Sequence, residues 1–287
     1  MVQLLSTATV TATGLICKAF LNSGLCSITV SNLHVLLEAL RNDERRRCGQ
    51  GVVTVANHIS TLDDPLAWGT LPTELYLNSK TTRWSLGASD IMFTNPIQVH
   101  LFGEGKINQP PNYPRTNGVA RLPRFKWGVG RILMEAAVPP LIIPMWLTGF
   151  DKLMPEHRSF PYKYFPKLGI KLGVAFGEPI PVEEITAALS PLYQDSTVTR
   201  LRVPPIEKDG VEFELGDERH LGGWAGRTVT RAGAQFTPGC DVMKQKQQMD
   251  LVRSGVTTII QRAVEALGRQ VSGNHLNKRL LDPPMGS

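Results

Sequence analysis

Hydrophobic positions along this chain fall into short runs and longer periodic stretches that alternate. Gly51-VVTVA-Asn57 is dense in Val and Thr, which predicts a buried strand. Thr61-LDDPLAWGT-Leu71 then has the look of a helix start, with Thr61, Asp63 or Asp64 as cap and Pro65 in the first turn. Ile97 to Gly105 reads as a second strand that ends in a glycine-flanked glutamate. Arg124 to Ala137 reads as a helix carrying Ile132, Leu133 and Ala136 on one side. Pro140 to Phe150 and Ile170 to Ile180 read as strands, the first with Pro144 breaking its ladder. Met249 to Leu267 places Leu251, Val252, Val256, Ile259, Ile260, Ala263 and Leu267 on one helical face.

Strands that alternate with helices predict an α/β fold with a mostly parallel central sheet flanked by helices. Four segments follow from the changes in texture. Residues 1–48 form an N-terminal helical segment that lies at a membrane interface or packs on its own domain, since polar residues such as Asn22, Ser23 and Ser27 interrupt its apolar stretch from Ala19 to Leu37 and leave it too polar for a span. Residues 49–188 form the α/β domain. Residues 189–248 are rich in turn residues and charge without a period and read as a loop-rich insertion. Residues 249–287 hold the last helix and a tail.

Composition narrows the classes. Apolar residues make up 42% of 287, enough for a full core rather than a disordered chain. The net charge of +6 suits an anionic surface or an acidic substrate. No compact Lys/Arg–aromatic motif accompanies it, so nucleic acid is not an expected partner. Cys17, Cys26, Cys48 and Cys240 have no close pairing, which argues against a zinc site or a disulfide framework.

In such sheets ligands gather at the carboxyl ends of strands. His58 and Glu104 both stand just after a predicted strand, so one crevice can hold both. A neutral histidine takes a proton at cellular pH, and a carboxylate on its other ring nitrogen fixes the tautomer. Asp63, five residues on across a turn, is placed to do this. The competing reading is a core histidine beside a helix-capping aspartate, a common coincidence. Gly103 and Gly105 let backbone approach a ligand, Glu104 can accept from a polyol, and Lys106 can meet a phosphate. The competing reading there is a solvated glycine-rich turn.

Asn57-HISTLDD-Pro65, Phe102-GEG-Lys106 and the later Ile-Ile-Pro144 together resemble the glycerolipid acyltransferase superfamily, with its N-H-x4-D and F-x-E-G motifs. Arg83-WSLGASDIMFTN-Pro96, Arg124-FKWGVGRILME-Ala136 and Ile142-IPMWLTGFDKLMP-Glu156 are similar to its branch of phospholipid–lysophospholipid transacylases that remodel cardiolipin. The resemblance implies His58 and Asp63 as the catalytic pair, and Glu104, Gly105 and Lys106 as part of the acceptor site. It implies phospholipid and lysophospholipid substrates, no metal or other cofactor, and peripheral attachment to a mitochondrial membrane. A lysophospholipid acyltransferase that takes acyl-CoA would use the same pair. A membrane-associated protein without catalysis is the alternative from another class.

The chain departs from the family pattern in two places. Gly103 stands where the superfamily has proline, and Pro96 runs directly into Ile97 where relatives carry a further block. That short junction is expected to weaken the core around the site. Asn112-YPRTNGVARL-Pro123 has the opposite character, a short insertion.

Overall fold

The structure is a computed structural model that describes residues 2–77, 107–116, 119–125, 128–190, 223–231 and 242–272. The strand expected over Ile97–Gly105, the Pro96–Ile97 junction, and Glu104, Gly105 and Lys106 lie outside the described residues.

In chain order the elements are α1 (Val2–Asn22), β1 (Ser27–Ser31), α2 (Leu33–Arg41), α3 (Asp43–Arg47), β2 (Val52–Ala56), α4 (Asp63–Gly69) and α5 (Glu74–Leu77). A short hairpin follows, β3 (Arg115–Thr116) and β4 (Val119–Ala120), and then α6 (Gly128–Glu135), β5 (Leu141–Thr148) and α7 (Phe150–Leu153). The rest is β6 (Lys171–Phe176), α8 (Val182–Ala187), α9 (Gly223–Arg231) and α10 (Val242–Ser272).

The main sheet has the order β1-β6-β5-β2. β1 runs parallel to β6 and β2 parallel to β5, while β5 and β6 are antiparallel. Six consecutive residues of β5, Ile142 to Leu147, are buried. A strand buried at successive positions is covered on both faces. One face is packed by α1, α2 and α4 through Leu21, Leu36, Leu66 and Trp68. The other is packed by α6, α9 and α10 through Leu133, Trp224, Val256 and Ile260.

The predicted strands at Val52, Leu141 and Lys171 are present, and the fold class is the mixed α/β one expected. Several local readings need correction. The N-terminal segment is not all helical. Ser27–Ser31 forms an outer strand of the sheet, with Ser27 N–H donating to Ile170 O at 3.1 Å. Its Ile, Thr and Val favour a strand, and its alternating exposure explains the serines that made it look like an interrupted helix. Among the described residues no helix is long and apolar enough to cross a membrane. The charged stretch Arg41–Gly49 contains the helix α3, capped by the Asn42 side chain accepting from Arg45 N–H at 2.9 Å. The loop-rich 189–248 segment contains α9 and the first turns of α10. Ile132 and Leu251 point outward, while Leu133 and Met134 take the inner side of α6.

Pro144 does not end its strand. Leu141 N–H donates to Gly51 O and Leu147 N–H to the Asn57 side chain, so odd positions of β5 face β2. Pro144 faces the other way, where its carbonyl accepts from Gly177 N–H at 2.8 Å just beyond β6. The missing proline N–H therefore falls one position beyond the β5–β6 ladder, which begins at Met145–Phe176.

The carboxyl ends of β2 and β5 share one edge of the sheet, because the two strands are parallel. At that edge Gly149 turns the chain out of β5 with φ +81°, and a Cβ there would lie 2.1 Å from Lys171 O. Only glycine fits both conditions.

Candidate functional site

The site begins where the β2–β5 ladder would run out. After the Ala56–Met145 pair, the Asn57 side chain takes over the pairing. Its Nδ2 donates to Leu147 O at 3.0 Å and its Oδ1 accepts from Leu147 N–H at 2.8 Å. An amide side chain offers one donor and one acceptor with the same spacing as backbone, so Asn57 acts as an extra ladder rung. It is buried, and it fixes the point at which the chain leaves the sheet.

His58 follows directly. Its Nδ1 lies 3.0 Å from Asp63 Oδ2, and the side chain keeps 30% of its exposure. The same Oδ2 accepts from Ile59 N–H at 2.6 Å and Ser60 N–H at 2.8 Å. The turn thus wraps around one carboxylate oxygen. An ionised carboxylate can only accept, so Nδ1 carries the hydrogen and Nε2 is left as a base facing outward. Asp63 itself is buried. Burial pushes its carboxyl above the ordinary Asp range, opposed by the His58, Ser60 and Ile59 hydrogen bonds.

Asp63 is the first residue of α4 and does not cap it. The N-cap is Leu62, without a side-chain bond, and Ser60 Oγ accepts from Leu62 N–H at 3.2 Å. The expectation that Thr61, Asp63 or Asp64 caps the helix is overturned. Asp63 instead uses its oxygen backwards, on the turn before it. Asp63 N–H donates to Ser60 O and Leu66 N–H to Leu62 O, and Pro65 has no N–H. Three of the first four residues of α4 thus have no spare N–H to offer, so this helix start is a poor source of oxyanion donors.

A second layer holds the turn from outside. Asn108 N–H donates to His58 O at 2.9 Å. The Gln109 amide donates to Ile59 O at 3.3 Å and Met154 O at 3.0 Å, and its Oε1 accepts from Glu156 N–H at 3.3 Å. Gln109 therefore ties the histidine turn to the loop after α7. Tyr113 is buried beside Asn57 and Asp63, and burial raises its phenol well above the usual range. The Tyr113 hydroxyl and Asp63 Oδ1 each lack a hydrogen-bond partner among the described residues. The roles of Gln109 and Tyr113 depend on contacts far apart in sequence, and no local pattern announces them.

The structure thus brings His58 and Asp63 into contact, and Asp64 lies one position further along α4. The segment Asn112–Pro123 carries the paired strands β3 and β4 and docks on α10, where Gln261 Nε2 donates to Leu122 O at 3.0 Å and Arg121 pairs with Glu265 at 3.0 Å. Among the described residues no three His, Cys, Asp or Glu side chains come together as a metal-binding group.

Asn57→Ala removes two buried hydrogen bonds and leaves the Leu147 N–H and C=O unpaired. The expected cost is about 2–4 kcal/mol in unfolding free energy. Because His58 hangs from this rung, turnover is expected to fall by about tenfold or more even in the folded fraction. Denaturant unfolding beside single-turnover rates checks both.

No family model matches the chain. Comparison with curated proteins gives consistent relatives. The chain is 28% identical over 238 residues to "Taffazin" of Dictyostelium discoideum, covering 69% of this chain and 76% of that protein. It is 28% identical over 232 residues to N-acylphosphatidylethanolamine synthase of Arabidopsis thaliana, covering 69% and 81%. It is 30% identical over 175 residues to tafazzin of Drosophila melanogaster, covering 49% and 43%. With the strand-end histidine on a mostly parallel α/β sheet, these likenesses point to an acyltransferase. Within that class the chain is tafazzin-like.

Proposed function

We propose that the chain moves an acyl group from a phospholipid to a lysophospholipid without CoA, with His58 as general base and Asp63 as the residue that orients it. The observation that carries this reading is the 3.0 Å contact of His58 Nδ1 with a buried carboxylate, which leaves Nε2 turned outward. The acceptor hydroxyl gives its proton to Nε2, and its oxygen attacks the donor's ester carbonyl. Collapse of the tetrahedral intermediate breaks the old ester bond. The departing oxygen takes the proton back from the imidazolium, and the products are a new phospholipid and a new lysophospholipid. Asp63 stabilises the imidazolium between the two transfers.

Glu104, Gly105 and Lys106 are assigned to the acceptor side by the resemblance of Phe102–Lys106 to the F-x-E-G motif of the glycerolipid acyltransferases. Remodelling of cardiolipin at a mitochondrial membrane is the proposed setting, supported by the tafazzins among the relatives. The likeness to N-acylphosphatidylethanolamine synthase favours a second reading, in which the acceptor is an amine.

One assay separates these readings. The chain is incubated with an isotopically labelled lysophospholipid and an unlabelled phospholipid, with and without acyl-CoA, and in a parallel arm with phosphatidylethanolamine as acceptor. The expected result is label entering phospholipid at the same rate with and without CoA thioester. Strict dependence on acyl-CoA would assign the donor to the thioester instead. Formation of an N-acyl product without transfer to the lysophospholipid would assign the acceptor to the amine.

A further inference from the structure

The chain between α7 and β6 exposes an unusual surface. Phe160, Tyr162, Tyr164, Phe165 and Leu168 are each between 59% and 77% exposed. Five large apolar side chains within nine residues, all turned to solvent, are not explained by packing, since the loop's own fold needs few of them. Single exposed apolar residues are ordinary, and a contiguous set marks a contact surface.

The charges between them choose the partner. Residues 157–168 contain Arg158, Lys163 and Lys167 and no Asp or Glu. Lys163 and Lys167 are exposed, and the Lys163 ammonium lies 4.9 Å from the Tyr164 ring centre. Aromatic rings interleaved with Lys and Arg match the boundary of a bilayer, where rings settle among the glycerol and carbonyl groups and ammonium groups meet lipid phosphates. A protein-binding hot spot would bury its charge less freely and group its aromatics around a pocket.

The loop is a firm platform in the right place. Arg158 Nη1 donates to Phe165 O at 2.6 Å, and Phe160 and Tyr164 pack edge to face at 6.3 Å. Its base is pinned by Lys167 N–H to Leu153 O at 2.8 Å and by Gly169 N–H to Leu25 O at 2.7 Å. It leaves the sheet at the carboxyl end of β5, the edge from which His58 also emerges. Gln109 joins the two directly, bonding to Ile59 O next to His58 and to Met154 O and Glu156 N–H at the start of the loop.

We infer that the loop over residues 158–168 is the surface by which this protein docks on an anionic bilayer, its aromatic side chains entering the interface and Lys163 and Lys167 contacting lipid phosphates, so that the His58 edge of the sheet faces the membrane. This goes beyond the acyl-transfer reading, because docking is measured without turnover.

The test is sedimentation of the full chain with vesicles of phosphatidylcholine, with and without phosphatidylglycerol. The variants are F160A/F165A, K163E/K167E, and a control, L251S, which changes an exposed apolar residue on α10. The expected result is that F160A/F165A weakens binding to both vesicle types by about tenfold or more. K163E/K167E is expected to remove the preference for phosphatidylglycerol and its salt dependence. L251S binds like the parent. Thermal unfolding of all variants should match the parent, since the changed side chains are solvent-facing. Unchanged vesicle binding by folded F160A/F165A overturns the inference. So does a parent chain that self-associates through this loop in light scattering and ignores vesicles, which would make the surface a protein contact. Turnover on short-chain lipids dissolved as monomers separates the two readings: F160A/F165A should retain it. Loss there by the parent itself would count against acyl transfer and leave docking standing.

Discussion

Replacing His58 by alanine is expected to lower acyl exchange by about 10²–10⁴-fold, the usual worth of a positioned general base. The protein should remain folded. The His58 side chain is partly exposed and makes one hydrogen bond among the described residues, so the loss in stability is about 1–2 kcal/mol. Binding of lipid should be little changed, because removing a proton acceptor that acts in the transition state lowers kcat and kcat/KM together. Exchange rates on vesicles beside thermal unfolding decide it. A folded His58→Ala protein with near-normal exchange would remove His58 from the chemistry and leave it as a turn residue.

Much of the sheet was legible because its strands are written as short β-branched or apolar runs, and local sequence is enough to mark them. Val52–Ala56, Leu141–Thr148 and Lys171–Phe176 are of this kind. β1 was not legible, since its identity depends on pairing with β6, which comes more than a hundred residues later. Its serines face outward at an edge, and from the sequence alone they look like interruptions of an apolar helix. Pro144 misled for a similar reason. Whether a proline breaks a ladder depends on which way its nitrogen faces, and that is settled by the register with β2 and by where the β5–β6 ladder ends.

At the site, the contact of His58 with Asp63 follows from five residues across a turn, and the sequence carried it. The support around it did not come through. Asn57 reads as a motif residue, but its work is to replace a missing ladder rung against Leu147, 90 residues away. Gln109 bridges Ile59 and Met154, and Tyr113 fills the space beside Asp63. These are contacts between segments that only the folded sheet edge brings together. The aromatic loop shows the same division: its composition is plain in the sequence, and its nearness to His58 depends on the parallel pairing of β2 with β5.

Asp63→Asn separates activity from stability and is the sharper test of the pair. Turnover is expected to fall by about 10²–10⁴-fold, since a neutral amide neither fixes the Nδ1–H tautomer nor stabilises the imidazolium. Stability should move the other way or hold. Burial raises the Asp63 carboxyl in the folded protein, which means that the folded state disfavours its ionised form. That penalty is present above the folded-state pKa and disappears as pH falls through it and the group becomes neutral in both states. Asparagine lacks the penalty at every pH, and its Oδ1 can still accept from Ile59 and Ser60 N–H. The variant should therefore match or exceed the parent's unfolding temperature at neutral pH, and the difference should shrink toward pH ~3–4, where the ordinary Asp carboxyl titrates. Asp64→Asn, one position along α4, should leave turnover close to the parent's. Exchange assays with unfolding curves across this pH range check all three statements. A large activity loss in Asp64→Asn with little in Asp63→Asn would transfer the orienting role to the neighbouring carboxylate. A marked destabilisation of Asp63→Asn at neutral pH would mean that the three hydrogen bonds to Oδ2 outweigh the burial of its charge.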